Sequence, residues 1–335
     1  MDAETEKLID KANQIFNQNF PATTWFERAV FYSWACKLNK CCTYCYMSTL
    51  PKEKRTMDKV RSFESLLAET LIVRELGWKY GFLSGGMNVF SDEKLFDLIK
   101  KTSIILNEKI WINVGILNKK QLKKFKPYIK GVVGTIEVLD PELHKKICPN
   151  KSIEPVRKMF QNSIELELEN AMTLIVGLGE TKKDFGLLQD FIKRYEVKKI
   201  HIYGLNPQKN TVFENSSGPT KEYQAWWIAK TRVAFPKIDI QCGIWEDKVK
   251  NLSILLRAGA NSISKYPAIK QFNSKSAKQI EAESKKAGRK FLGSLTKIKN
   301  VNWDKKIDEL KLEQDQKNKI RIKLGQYLKQ MLKNH

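Results

Sequence analysis

The chain of 335 residues holds only 3 histidines, 10 prolines and 6 cysteines, and its 37 Asp and Glu fall well short of its 60 Lys and Arg. Each shortage removes an option. No apolar run approaches the roughly 18 residues of a membrane span, and the first residues, MDAETEKLIDKANQIF, are acidic where a secretory leader is basic. A cytoplasmic protein that meets no membrane is expected. In a reducing cytosol, so few cysteines bind metal or do redox chemistry rather than build a disulfide framework. Neither GxGxxG nor GxxxxGK[ST] follows the first predicted strand, which leaves out the Rossmann and P-loop nucleotide sites. His144 lies in a polar segment and His201 inside a predicted strand, where a core or lumen histidine fits better than a metal ligand. The adjacent Trp226 and Trp227 fall in a helical pattern and read as packing.

The deficit of acids leaves a formal charge of +23. A field of that sign attracts nucleic acid and acidic proteins alike, and a lysine-rich solvated surface needs neither. Part of the excess lies in residues 297–335, which read as basic amphipathic helix: a docking surface, or a cover for the rest of the fold.

With 42% hydrophobic and 29% charged residues, the composition is that of a packed globular protein. After a helix over about residues 3–18, apolar or β-branched runs recur at 28–35, 80–86, 110–117, 131–139, 171–179, 199–206, 238–244 and 260–267. Helical periodicity fills the intervals, as in SFESLLAETLIVREL and DFGLLQDFIKRY. Eight strands alternating with helices predict an α/β fold, a (β/α)8 TIM-type barrel, in preference to an open doubly wound sheet. No Gly-, Pro- or Ser-rich linker divides it. The predicted organisation is an N-terminal helical segment over 1–24, a barrel over 25–272 and a basic helical C-terminal extension over 273–335. In such barrels the working residues follow the C-terminal ends of strands. The distinctive sequences do so: the cysteine-rich loop, SGG (84–86), GLGET (177–181), LNPQKNT (205–211) and QCG (241–243).

Four of the six cysteines lie in CKLNKCCTYCYMST, residues 36–49. Thiolates favour iron and zinc. A structural zinc site takes four ligands, usually as two paired knuckles, and no second knuckle is present. Three cysteines on one loop suit an iron–sulfur cluster with one iron left free of protein. Two registers are open, Cys36-Cys42-Cys45 and Cys36-Cys41-Cys45. Only the first leaves two residues, Thr43 and the aromatic Tyr44, between its last two cysteines.

A cysteine triad after the first strand of a βα barrel, ending Cys42-Thr43-Tyr44-Cys45, resembles the radical S-adenosylmethionine (SAM) superfamily. The usual CxxxCxΦC spacing would place a cysteine at Leu38, so the chain carries the longer Cx5Cx2C variant known in some archaeal members. The fifth-strand sequence Ile175 to Thr181 resembles the biotin synthase and lipoyl synthase branch. The resemblance implies a [4Fe-4S] cluster on Cys36, Cys42 and Cys45, with SAM chelating the free iron. Reductive cleavage of SAM would then give a 5′-deoxyadenosyl radical. It further implies that Tyr44, Ser84, Gly85, Gly86, Glu137, Gly177, Gly179, Glu180 and Asn206 form the cofactor site. Gly85 and Gly86 would admit the methionine moiety, and Gly177 and Gly179 the adenine.

Sulfur-inserting members of this branch carry a second cluster, and Cys41, Cys148, Cys242 and Ser294 are the residues left to hold one. Ala171 and Ile244 stand where biotin synthase places ligands of its own second cluster. The leading expectation is a component of an archaeal two-protein lipoyl synthase. It would need a ferredoxin-type electron donor, a partner radical SAM subunit and an acidic carrier protein bearing an octanoyl chain. The alternatives are a maturase related to iron-guanylylpyridinol cofactor synthesis, an RNA-modifying radical SAM enzyme, or an iron–sulfur electron carrier that is not an enzyme.

Overall fold

The computed structural model describes residues 1–38, 42–49, 59–87 and 89–334. All eight expected strands are present, as β2 (Glu27–Phe31), β3 (Lys79–Ser84), β4 (Ile110–Asn113), β5 (Ile129–Glu137), β6 (Glu169–Val176), β7 (Val197–Gly204), β8 (Asp239–Gly243) and β9 (Ser262–Ser264). They form one parallel sheet in sequential order, and helices fill the crossovers. Parallel strands with helical crossovers bury both faces of the sheet, hence the near-continuous apolar runs in the sequence. The result is the expected (β/α)8 barrel. Several strands stop earlier than the sequence suggests. Gly115 and Gly177 take φ of 99° and 97°, which breaks the extended backbone after β4 and β6.

The sheet closes at its N-terminal edge through a single bridge between Phe26 and Ile263. Thr24 Oγ1 donates to the Asn261 carbonyl at 3.0 Å beside it. Above that bridge, among the described residues, no ladder joins β2 to β9.

Below the barrel, a strand not foreseen in the sequence, β1 (Thr23–Trp25), pairs in parallel with another, β10 (Lys290–Leu292), from the C-terminal extension. The extension also carries helices Lys275–Lys286, Trp303–Asp308 and Gln314–Met331. Its Leu295, Ile307, Ile320 and Leu324 join the same buried core as the barrel strands and their helices. A smaller apolar group, Phe82, Trp111, Val133 and Ala171, fills the lumen.

Beneath the mouth, one flank of the lumen is polar and hydrogen-bonded around Glu27. Glu27 accepts from Lys199 Nζ at 2.7 Å, Ser262 Oγ at 2.8 Å and Trp25 Nε1 at 3.0 Å. Burial alone would raise the Glu27 pKa, but Lys199 and these donors bring it below the ordinary carboxylate value. No helix among the described residues is long and apolar enough to cross a membrane.

Candidate active site

The cysteine loop leaves β2 and is tied to the segments that follow β3, β5 and β7. Lys37 N donates to Met87 O at 3.1 Å, Thr43 N to Ile147 O at 2.8 Å, and Val212 N to Thr43 O at 3.3 Å. These bonds bring Cys36, Cys42 and Cys148 into one buried group with Val138, Ile147, Leu178 and Leu205, with Tyr44 and Cys45 packed against it. Cys148 Sγ lies 3.8 Å from Cys42 Sγ. No disulfide joins two of the described cysteines.

Among the described residues, no three His, Cys, Asp or Glu side chains converge on one point as a mononuclear metal site requires. A multi-iron cluster asks for something different, since each thiolate binds its own iron. The donor set fits that need: soft sulfurs in apolar surroundings, with the Lys151 ammonium nearby. Burial works against the Lys151 charge, but Glu137 and the sulfurs of Cys42 and Cys148 more than reverse this and raise its pKa. Lys151 Nζ sits 3.1 Å from Glu137 Oε1.

Glu137 ends β5 with φ of 68°, left-handed for a residue that is not glycine, and is buried at the mouth. A register shift against β6 just before it turns the carboxylate inward. Thr173 Oγ1 donates to its other oxygen at 3.4 Å. Neither Lys151 nor Thr173 stood out in the sequence; the interruption of strand pairing that aims Glu137 leaves no mark in the pattern of residues.

A cavity of about 650 Å³ opens here. Of the predicted cofactor residues, Tyr44, Cys45, Ser84, Gly85, Glu137 and Asn206 line it, whereas Cys36, Cys42, Gly86, Gly177, Gly179 and Glu180 do not. The reasons are local. A Cβ on Gly86 would stand 1.5 Å from the Ala35 carbonyl oxygen, so this glycine lets β3 approach the cysteine loop itself. A Cβ on Gly85 would meet the Tyr32 ring at 2.5 Å. The Glu180 carboxylate accepts from Gly177 N at 2.6 Å and Leu178 N at 2.9 Å, which closes the loop after β6 on itself. Burial raises the Glu180 pKa against these bonds.

The residues read as a second cluster are not brought together. Cys148 belongs with the loop cysteines, while Cys242 lies within β8 between Ile202 and Ile263, in the core outside the lumen. Its neighbour Gln241 points the other way and bonds His201 and Tyr203. Ser294 lies at the opposite end of the barrel, where its carbonyl accepts from Trp78 Nε1 at 2.7 Å and its hydroxyl bonds Glu281 and Thr296. Cys41 lies outside the described residues. The expected grouping of Cys148, Cys242 and Ser294 is therefore corrected: strand alternation turns Cys242 away from the mouth, and β10 carries Ser294 to the floor.

The far flank of the cavity is aromatic. Phe31 and Trp34 stack with centroids 5.0 Å apart, and Lys265 lies beside them, between the rings of Phe31 and Tyr203. Both faces of β2 contribute, through Glu27 and Arg28, as do Arg61, Glu69 and Tyr327 from the outer layer. The cavity thus runs from the lumen through the β2–β9 gap to helix Gln314–Met331.

Residues 33–192 match the family model described as the radical SAM superfamily. A protein of Methanocaldococcus jannaschii, described as uncharacterised, is 33% identical over 88% of this chain and 83% of its own. The biotin synthase of Clostridium perfringens is 28% identical over 55% of this chain and 59% of its own length, so the chain spans a little over half of that enzyme. Among solved structures, methylornithine synthase superposes with a TM-score of 0.67 at 18% identity, covering 79% of this chain and 78% of the other. This chain belongs to the radical SAM superfamily, in its biotin synthase-like branch.

Proposed function

We propose that the chain is a radical SAM enzyme with one iron–sulfur cluster, which takes a hydrogen atom from a small molecule enclosed in the barrel. The observation that carries this reading is the single cavity bordered on one side by Cys45, Tyr44, Ser84 and Glu137 and on the other by Phe31, Trp34 and Lys265. Cofactor and substrate flanks share one enclosure. Cys36, Cys42 and Cys45 would hold the cluster, which when bound supplies the electron that breaks the sulfonium of SAM and yields the deoxyadenosyl radical.

The chain's own residues orient and enclose. Glu137, fixed by Lys151 and Thr173, offers a rigid acceptor for hydroxyl groups such as those of a ribose. Asn206 offers an amide from the segment after β7. The apolar walls keep water from the reacting carbon. A ferredoxin-type protein would supply the electron.

Sulfur insertion, as a component of a two-protein lipoyl synthase, is the second reading. The aromatic flank suits an octanoyl chain, and the charge of +23 suits an acidic carrier. The dispersal of Cys148, Cys242 and Ser294 weighs against a sulfur source within this chain, so that reading leans on a partner subunit.

Anaerobic reconstitution followed by iron and sulfide analysis is expected to give about four of each per chain, with 5′-deoxyadenosine formed on adding SAM and a reductant. The variant with Cys36, Cys42 and Cys45 all replaced by alanine should lose both while keeping its circular dichroism. Deoxyadenosine at the wild-type rate from that variant would end the radical reading. About eight irons per chain would move sulfur insertion to first place.

A further inference from the structure

Two of the lysines buried within the barrel have their counter-ions built in. Lys151 has Glu137 at 3.1 Å, and Lys199 has Glu27 at 2.7 Å and Asp239 at 2.8 Å. Arg28 and Arg61, where the cavity passes β2, share Glu69. Lys265 differs. Among the described residues its ammonium has no hydrogen-bond acceptor and no ion-pair partner, and its neighbours are the ring faces of Tyr203, 4.5 Å to the centroid, and Phe31, 5.8 Å. It directly follows β9 with φ of 68°, a left-handed conformation uncommon for a lysine, and lines the cavity.

The position narrows what the ammonium could meet. The predicted cofactor residues that line the cavity come from the loop after β2 and from the ends of β3, β5 and β7. Lys265 comes from β9, beside the incomplete joint and the Phe31–Trp34 stack. Lys265 amid Phe26, Phe31, Trp34, Phe82 and Ile269 suits a single negative charge at the end of an apolar body; Lys270, which also lines the cavity, is exposed to solvent. A phosphate dianion would call for several converging donors.

We propose that Lys265 is the receptor for the carboxylate of the substrate, and that the substrate is a monocarboxylate with an apolar chain or ring lying on the aromatic flank. The aromatic rings stabilise the ammonium from the side and leave its protons to the ligand. Burial lowers the Lys265 pKa, opposed by the pull of Glu137 and Cys45, so an anion seated against the ammonium offsets the cost of burying its charge. This deepens the reading of the cavity as an enzyme's substrate site, but the octanoate and octanamide arms of its test need no cluster. Failure of SAM cleavage and failure of carboxylate recognition are thus seen separately.

The test is calorimetric titration of the anaerobically reconstituted full chain with octanoate, with its neutral analogue octanamide, and with SAM, the first two repeated on chain without a cluster. Wild type should bind octanoate roughly tenfold or more tightly than octanamide, the worth of one charge-assisted hydrogen bond. Lys265→Met should bring octanoate down to the octanamide level and leave SAM affinity within about twofold. Lys265→Arg, which keeps the charge, should retain the preference and controls for misfolding. Equal binding of the two probes by wild type, no binding of either, or an unchanged octanoate affinity in Lys265→Met would each overturn the proposal. A roughly tenfold loss of SAM affinity in Lys265→Met, with octanoate unaffected, would assign the lysine to the methionyl carboxylate of SAM instead.

Discussion

His201 shows how much a single lumen residue can be made to report. Its Nδ1 is paired with Gln241 at 2.7 Å, its Nε2 is buried with no hydrogen-bond partner among the described residues, and Phe82 packs edge-on at 5.1 Å. Burial pushes its pKa from 6.5 down to about 3, helped by the positive charge of Lys199. The unfolded chain therefore binds a proton that the folded chain refuses between those two values, and stability must fall as pH is lowered through that window. The slope is about 1.4 kcal/mol per pH unit for one such group. Urea midpoints measured from about pH 6.5 down to about pH 4.5 should fall faster for wild type than for His201→Gln; parallel curves would show that the imidazole is already protonated in the fold. The sequence placed His201 in the core or lumen rather than at a metal. It could not foresee Lys151 or Lys265, because a lysine reads as surface until the closing of the barrel sets Glu137 beside one and two aromatic rings beside the other.

At the scale of elements, the strand–helix alternation was legible because parallel strands leave apolar runs and their helices leave a 3.6-residue period. What each glycine does was not. Gly86 reads as room for a ligand, yet the space its missing side chain would take is filled by Ala35 and Cys36. Gly86→Ala should push β3 and the cysteine loop apart, at a cost of about 1–3 kcal/mol, and should lower iron per chain after reconstitution. Gly186, in helix Phe185–Arg194, has nothing within 4 Å of its missing Cβ. Gly186→Ala should be neutral or stabilising by up to about 1 kcal/mol and leave iron content alone. Equal iron in the two variants would show that the approach at Gly86 does not shape the loop. The short strands β1 and β10 escaped notice because three residues are too few to show a period, and pairing across more than 260 positions leaves no local signal.

At the scale of the whole molecule, the C-terminal extension is part of the barrel's architecture. Tyr327, on helix Gln314–Met331, places its hydroxyl 2.6 Å from both Arg61 Nη2 and Ser65 Oγ, and so ties the last helix to helix Phe63–Glu75 where the cavity passes outward. Tyr327→Phe should cost about 1 kcal/mol and speed amide hydrogen exchange in residues 314–331 while the strands keep their protection. Unchanged exchange in that helix would mean that its apolar contacts alone hold it. The consecutive strands of the ring are joined by ladders, and its remaining joint is the bridge at Phe26 and Ile263 with the side-chain bonds of Thr24 and Glu27 beside it. A hoop stiff everywhere but at one rivet concentrates its compliance there. The mouth can therefore widen by splaying β2 from β9 without breaking a ladder, and a guest too long for the lumen has one side on which to trail out, past Lys265 and toward the last helix.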